Sequence, residues 1–587
     1  MIETGGGKIW IRPTSRKIRD LFFLNPAMQT VAAKTGEVVV AEPLHENRIG
    51  QREARILENL GPFTAPRAVS LIAIAEGDIP FAFPENVVEA SERLREAGLE
   101  GREDMRALPL VTIDGADARD FDDAVFAEAD KDGGFHLIVA IADVSHYVKS
   151  SSIIDREAHK RGNSVYFPDR VVPMLPEALS NELCSLKPNV NRACLAVHMT
   201  IDAHGKLKHH RFTRGLMRSA ARLTYEQAQA AADGKSDAIT GPLLKNVIQP
   251  LYAAYEILAR ARKARGTLDL DVAEREIKID PHGRVARIGT RARLESHKLV
   301  EEFMILANVA AATALQERGM AGLYRIHDSP SAEKLENLRG FLKGFDIKLP
   351  QGQQLRPADL ARVLEKFIGT DHAPVINEVM LRSQAQAVYS PENIGHFGLA
   401  LARYAHFTSP IRRYADLIVH RALIRLFKLG EDGLTDDEMK GLEKIGEHIS
   451  QTERRAIEAE RSASDRYASL YLAENIGEEF DGRISGVTHA GIFVRLNDTG
   501  ADGFVPMREL PQDYYHFEEA RHMLIGRRHG LRLSLANKVR VKLVEADPVV
   551  GGLRFALLTG NNKQPVDKTG KTGRPFHRNR KRPRRRH

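Results

Sequence analysis

Five aspartates fall within ten residues, at Asp114, Asp117, Asp120, Asp122 and Asp123. Carboxylates this close repel and raise one another's pKa, so a fold carries them only in open water or around a cation. The flanks decide between the two. LPLVTI (108–113) and AVFA (124–127) are short apolar runs of strand-forming residues, so the aspartates sit at one strand's end and the next one's entry, beside buried structure. No register of the segment supplies the ligand spacing and glycine of an EF-hand loop. The two cysteines, Cys184 and Cys194, lie far from any histidine pair at finger spacing, which removes zinc. An all-oxygen cluster suits Mg²⁺, or Mn²⁺ as a substitute, with water and phosphate oxygens completing the shell. Two such ions hold the attacking water and the leaving oxygen of a phosphodiester, so the chemistry expected is phosphodiester hydrolysis.

A chain of 587 residues exceeds what one core can organise. The expected fold class is multidomain α+β: a central mixed α/β catalytic domain flanked by small OB-fold β-barrels, with a disordered basic C-terminal tail. Residues 1–83 read as one barrel, whole or incomplete, built from KIWIRP, EVVVAEP, QREARILENLG and AVSLIAIAEG as strands. Residues 84–106 read as a charged helical linker, 107–475 as the catalytic domain and 476–560 as a five-stranded oligonucleotide-binding barrel. On that barrel Phe493, Phe504 and His489 are candidates for stacking on bases, with barrel core as the alternative for the aromatics. The tail, 561–587, holds eleven Lys or Arg and one acid, Asp567. Its excess of cations is larger than the whole chain's net +8, so the body is near neutral, and the tail is expected to be a sequence-blind phosphate grip, with a solubility tail or a localisation signal as the alternative. With no signal-peptide h-region and no run of about 18 apolar residues, the expectation is a cytoplasmic protein with no membrane partner.

Two helical segments carry further chemistry. SHKLVEEFMILANVAAATALQERG (296–319) repeats Leu299, Phe303, Leu306, Val309, Ala310 and Thr313 at helical spacing, with Ser296 as cap and Gly319 as stop. Glu302 lies at the edge of that apolar face, where a carboxylate needs a partner: a ligand, or a structural ion pair. TSPIRRYADLIVHRALIRLFKLG (408–430) places Ser409 as N-cap and Pro410 at the first helical position. Arg412 and Arg413 then fall in the first turn, where free N–H groups and two guanidiniums make an anion site for phosphate. The alternative is an ion pair with the aspartates.

TIDGADARDFDDAV, IADVSHYV, RGNSVYFP, VPMLPEALSNELCSL, VEEFMILAN, YSPENIGHFGLAL and FTSPIRRYADLIVHR together resemble the ribonuclease II (RNB) family of processive 3′-to-5′ exoribonucleases, most of all its ribonuclease R branch. The resemblance implies that the flanking barrels are a cold-shock domain and an RNA-binding domain of ribosomal-protein type. It implies that Asp114, Asp120, Asp122 and Asp123 hold Mg²⁺ and orient the attacking water, and it gives Asp117 no role. Arg412 matches the arginine on the phosphate near the scissile bond, and Tyr166 the aromatic that packs on the 3′-terminal base. Tyr225 and Glu302 match residues on the terminal riboses, where a 2′-hydroxyl distinguishes RNA from DNA. In GTLDLD (266–271) Leu270 stands where the family carries a stacking aromatic, and the N-terminal part holds one cold-shock barrel where two and a helical leader are usual.

The function expected is a Mg²⁺-dependent hydrolytic exoribonuclease, a monomer that releases 5′-mononucleotides from single-stranded RNA or from structured RNA with a 3′ overhang. The alternatives are an exonuclease that also takes single-stranded DNA, and an RNA-binding regulator with a dead centre.

Overall fold

The structure is a computed structural model that describes residues 1–559 apart from 16, 19, 45–51, 66–67, 273, 351–354 and 519–522. The basic tail lies outside the described residues. Strands β1 (Ile2–Gly5), β2 (Lys8–Ile11) and β3 (Phe22–Phe23) form one N-terminal sheet, and β4 (Glu37–Pro43) and β5 (Ala54–Pro62) a second. They enclose Ile2, Ile11, Leu24, Ala54 and Ile56.

AVSLIAIAEG, expected as the fourth strand run, is not a strand. Ala68–Glu76 is helix α1, burying Val69, Ala73 and Ile74 against Ala456, Ala459 and Ala463 of a long C-terminal helix. A short apolar run bounded by polar residues has the same pattern whether it is a buried strand or a helix buried all round, and here a tertiary partner selects the helix. The linker is helical only over α2 (Glu85–Glu92), after which the chain runs irregularly to β6 (Glu103–Asp104).

The central domain is built on a seven-stranded sheet. Its strands are β6, β7 (Val111–Asp114), β8 (Asp123–Ala129), β9 (Phe135–Ala142), β12 (Asn191–Ile201), β13 (Leu207–Arg218) and β14 (Ala221–Thr224), in the order β14-β7-β8-β9-β12-β13-β6. The five inner strands pair antiparallel; the outermost, β14 and β6, pair parallel. Between β9 and β12 lie α3 (Val144–Tyr147), α4 (Ile153–Arg161) and a hairpin of β10 (Val165–Phe167) and β11 (Arg170–Val172). After β14 come α5 (Tyr225–Ala232), α6 (Gln249–Arg265), the hairpin β15 (Arg275–Ile279) and β16 (Val285–Thr290), and α7 (Glu295–Glu317).

Helix α7 is long and apolar enough to cross a membrane, yet its Leu299, Phe303, Leu306, Ala310 and Ala314 are buried in the domain core with β9 and β12. The apolar stripe is therefore core, with Val309 and Thr313 at its half-buried margin. The helix starts at Glu295, one residue before the expected Ser296 cap.

Strand β17 (Tyr324–Ile326) pairs with β18 (Val388–Ser390) across α8 (Ala332–Lys343), α9 (Pro357–Glu365) and α10 (Ala373–Ser383). Then follow α11 (Tyr414–Phe427) and α12 (Asp436–Leu472), whose Thr435 and Glu438 form a reciprocal cap. The last domain is a closed five-stranded barrel of β19 (Glu479–Thr488), β20 (Gly491–Leu496), β21 (Asp502–Pro506), β25 (Lys538–Asp547) and β26 (Gly552–Thr559). A separate sheet of β22 (Tyr515–Glu518), β23 (Met523–Gly526) and β24 (Arg532–Ser534) is inserted before β25.

Candidate active site

Asp114 ends β7 and Asp123 opens β8, so sheet pairing brings the aspartates together. The loop between them is fastened at several points. Phe121 N–H donates to Ser185 Oγ at 3.0 Å, Ser185 Oγ–H donates to the Arg119 carbonyl at 2.7 Å, and Ala142 N–H donates to the Asp122 carbonyl at 2.8 Å. Arg222 Nη2 reaches the Gly115 and Ala116 carbonyls, both at 2.7 Å. Ser185 and Arg222 were missed in the sequence; Ser185 lies in the SNELCSL run, which no chemical argument singled out.

Asp122 is 4% exposed. Its Oδ1 accepts the Ile411 N–H at 2.9 Å, while Oδ2 is buried with no hydrogen-bond partner and lies 3.8 Å from Arg412 Nε. Asp114 Oδ2 is likewise buried and unpartnered. Burial is the first cause of the pKa shifts: Asp114 is pushed up to about 6, with the Asp120 charge adding, and Asp123 to about 8, with the Asp114 charge adding. Asp122 rises well above the carboxylate range although Arg412 and the Ile411 N–H pull the other way. Bare, half-desolvated carboxylate oxygens are the donor set a hard divalent cation takes. Among the described residues no three side chains converge on one point to complete a metal shell. Asp117 is exposed and stands apart from these contacts.

The segment carrying Arg412 is not the helix start expected. Helix α11 begins at Tyr414, and residues 408–413 are an irregular loop. Its backbone donors are spent on protein: Ser409 N–H on Asp416 at 2.7 Å and Ile411 N–H on Asp122. The expected helix-terminal phosphate site is therefore absent from this loop. The Arg413 guanidinium, expected to meet RNA, forms a two-bond pair with Asp416, at 2.8 and 2.7 Å, which braces the loop.

Arg412 faces the aspartates because its backbone is paired like a strand. Ser164 N–H donates to the Arg412 carbonyl at 3.0 Å and Tyr414 N–H to the Gly162 carbonyl at 2.9 Å. Gly162 has φ +74°, and any side chain there would meet Thr452. The same ribbon leads two residues on to Tyr166, whose hydroxyl lies 3.4 Å from Asp120 Oδ2 and whose N–H donates to Glu460 at 2.7 Å. Tyr166 is 39% exposed. With Arg412, Tyr389, Glu453 and Glu460 it lines a cavity of about 230 Å³.

Tyr225 opens α5 under a Thr224–Gln227 reciprocal cap, and its ring stacks on His297 with centroids 3.9 Å apart. Burial raises its phenol pKa, and the Asp114 and Asp123 charges raise it further, which puts it beside the cluster. Glu302 is 4% exposed but not unpaired: Arg262 Nη1 donates to it at 2.6 Å and also to Glu301 at 3.1 Å. Its carboxyl is raised by burial against the pull of Arg262. Phe493 and Phe504 form a second group, with ring centroids 5.0 Å apart, in a cavity of about 830 Å³ with Lys334, Arg382 and Arg495. Leu270 packs at the margin of the second apolar core.

The RNB domain family matches residues 102–428, the S1 RNA binding domain 474–556 and the cold shock domain 10–84. The chain is 41% identical over 557 residues to ribonuclease R of Vibrio parahaemolyticus, covering 92% of this chain and 66% of that protein. It is 40% identical over 566 residues to ribonuclease R of Escherichia coli, covering 94% and 69%. It thus spans about two thirds of the length of these curated relatives. The apo structure of Mycoplasma genitalium RNase R superposes with a TM-score of 0.89 at 28% identity, covering 95% of this chain and 88% of that one. The same protein with ribose-methylated single-stranded RNA gives 0.87 at 27% identity over 95% and 88% of the chains, and with double-stranded RNA 0.81 at 28% over 92% and 91%.

Proposed function

The chain belongs to the RNB family of exoribonucleases, in its ribonuclease R branch, and from that premise we propose a processive, Mg²⁺-dependent hydrolase that shortens RNA from its 3′ end and releases 5′-mononucleotides. The observation that carries the metal dependence is the pair of buried, partnerless oxygens, Asp114 Oδ2 and Asp122 Oδ2, beside Arg412. Asp114, Asp120, Asp122 and Asp123 would hold the ion. When bound, Mg²⁺ supplies Lewis-acid stabilisation and lowers the pKa of a bound water.

The protein's own groups do the rest. Tyr166 offers its exposed ring to the terminal base, and the ribbon shared with Arg412 sets the distance from that base to the phosphate. Arg412 carries a guanidinium to the developing charge on the phosphate oxygens. Arg413 and Asp416 keep the loop in place behind it. The RNA expected is single-stranded, or structured with a 3′ overhang, and the enzyme is taken to act as a cytoplasmic monomer; the charged tail adds phosphate contacts that are blind to sequence.

The test is a time course on matched all-RNA and all-DNA oligomers, with Mg²⁺ and with EDTA, resolving product length. Mononucleotides from RNA alone, only with Mg²⁺, support the reading. Cleavage of both polymers marks a general single-strand exonuclease, and binding without cleavage marks a regulator.

A further inference from the structure

Most arginines round the aspartate cluster are engaged with protein; among the described residues, Arg119 in the aspartate loop and Arg291 are the two whose guanidiniums have neither a hydrogen bond nor an ion pair. Arg222 donates to the Gly115 and Ala116 carbonyls, Arg412 to Ser409 Oγ at 3.1 Å, and Arg293 to Glu301 and Asp269. Arg291 lies among them at the end of the β15–β16 hairpin. Among the described residues its guanidinium has neither a hydrogen bond nor an ion pair, and it is exposed.

Its backbone is nevertheless held. Arg291 N–H donates to the Glu274 carbonyl at 2.9 Å. Three residues on, Leu294 N–H donates to His297 Nδ1 at 3.1 Å, and Ser296 Oγ–H donates to the Tyr225 carbonyl at 2.8 Å. These contacts fix the 291–297 segment against the Tyr225–His297 ring stack. They also bring Arg291 Nη2 to 3.7 Å from where a Cβ on Gly115 would stand, one residue from Asp114. A long cationic side chain next to a carboxylate cluster, with no carboxylate of its own, points to an anion supplied from outside.

Arg412 and Tyr166 lie on the Asp120–Asp122 side of the cluster, whereas Arg291 and the Tyr225–His297 stack lie on the Asp114 side. Resting on the reading that Tyr166 receives the 3′-terminal base, we propose that Arg291 binds a second RNA phosphate, one or two linkages to the 5′ side of the scissile one. Two separate guanidiniums then hold the strand across the aspartates, one at the bond to be broken and one just upstream. The upstream grip keeps the shortened strand seated after each nucleotide leaves.

The experiment uses the full chain, wild type and Arg291→Gln, and fluorescently labelled 2′-O-methyl RNA oligomers with a single neutral methylphosphonate at each of the first few linkages from the 3′ end. Binding is measured in EDTA, so it does not depend on cleavage. Arg291→Gln is expected to weaken binding of the unmodified oligomer about tenfold and to lower the log–log salt slope by about 0.7. One methylphosphonate position should weaken the wild type by a similar factor and leave Arg291→Gln unaffected, and Arg291→Lys should recover part of the loss. Since Arg291 is exposed and unpaired, the melting temperature should not move. Equal affinity of wild type and Arg291→Gln overturns the proposal, as do losses that multiply at every linkage. Cleavage of ordinary RNA by the wild type is read separately: no cleavage with the binding pattern intact sinks the exonuclease reading and keeps the phosphate contact.

Discussion

Two buried aspartates flank adjacent strands of one sheet, Asp122 just before β8 and Asp143 just after β9, and are treated in opposite ways. Asp143, just past β9, is fully buried and completely paired: Arg214 donates to it at 2.9 and 3.1 Å, Arg102 lies at 2.8 Å, and Ser145 Oγ–H adds 2.6 Å. Those partners outweigh its burial and hold its pKa far below the ordinary carboxylate range. Asp122, whose carbonyl accepts the N–H of Ala142, is nearly as buried but keeps one oxygen bare and has its pKa driven up. The first arrangement stabilises the fold by itself; the second is unfavourable until something cationic arrives. Sequence places these two residues among the same apolar strands, and only the partners distinguish them.

The sharpest way to break this comparison is to remove each charge. Asp122→Asn should lower the cleavage rate at saturating RNA by a hundredfold or more, with RNA affinity close to wild type. Asp143→Asn should do the opposite. It leaves Arg102 buried beside a neutral group, while Arg214 keeps Asp432 at 2.7 Å, a cost of ~3 kcal/mol, seen as a fall in melting temperature with the surviving folded fraction still active. Equal turnover by Asp122→Asn and wild type removes Asp122 from the chemistry.

Metal addition gives the next largest effect. Mg²⁺ at about a hundred times its dissociation constant should stabilise the wild type by ~2.7 kcal/mol and stabilise Asp122→Asn far less. Melting temperatures with and without EDTA measure both. The same rise in the two proteins places the ion elsewhere.

A smaller effect follows from pH. In the fold Asp114 and Asp123 titrate near 6 and 8, against about 3.9 for an unfolded aspartate. The folded state therefore binds more protons than the unfolded chain between those values, so this contribution to stability is full below about pH 4 and is lost as pH rises to about 8. Asp143, with its depressed pKa, contributes equally across that whole window. In metal-free buffer Asp123→Asn should thus stabilise the protein more at pH 8 than at pH 5, and saturating Mg²⁺ should abolish the gain. A pH-independent difference between wild type and Asp123→Asn counts against the raised pKa.

What could be read from the sequence follows from distance along the chain. The aspartates were legible because all of them lie in one short segment between two strands, and the closed C-terminal barrel because its glycine-punctuated strands are local. The partner of Asp122 is Ile411, 289 residues away, and no local pattern signals it. The start of α11 was misread for a related reason. Ser409 and Pro410 carry ordinary helix-start chemistry, but Asp416 takes the Ser409 N–H and Arg413, and strand-like pairing with residues 162–164 holds the chain extended. For 68–76 the pattern fitted a strand and a helix equally, and the alanine face of α12 decided it.

Glu302 is the residue on which the comparison bears most finely. Its position on the edge of α7 suggested an acceptor left unpaired until a ribose 2′-hydroxyl satisfied it. Arg262, forty residues earlier on α6, already does so at 2.6 Å, which gives Glu302 a paired oxygen as in Asp143, although burial still raises its carboxyl as it does that of Asp122. Truncating it leaves Arg262 with Glu301 and the Asp269 carboxylate, at 3.1 and 3.3 Å, so the arginine is not stranded and the cost should be modest, ~1–2 kcal/mol. Glu302→Ala should then melt earlier yet keep the wild-type ratio of RNA to DNA cleavage, with both rates lowered together. If the ratio narrows while the melting temperature holds, the ribose is a second partner of this carboxylate. Arg262 then only orients a group that selects the sugar, and Glu302 moves to the same side of the comparison as Asp122.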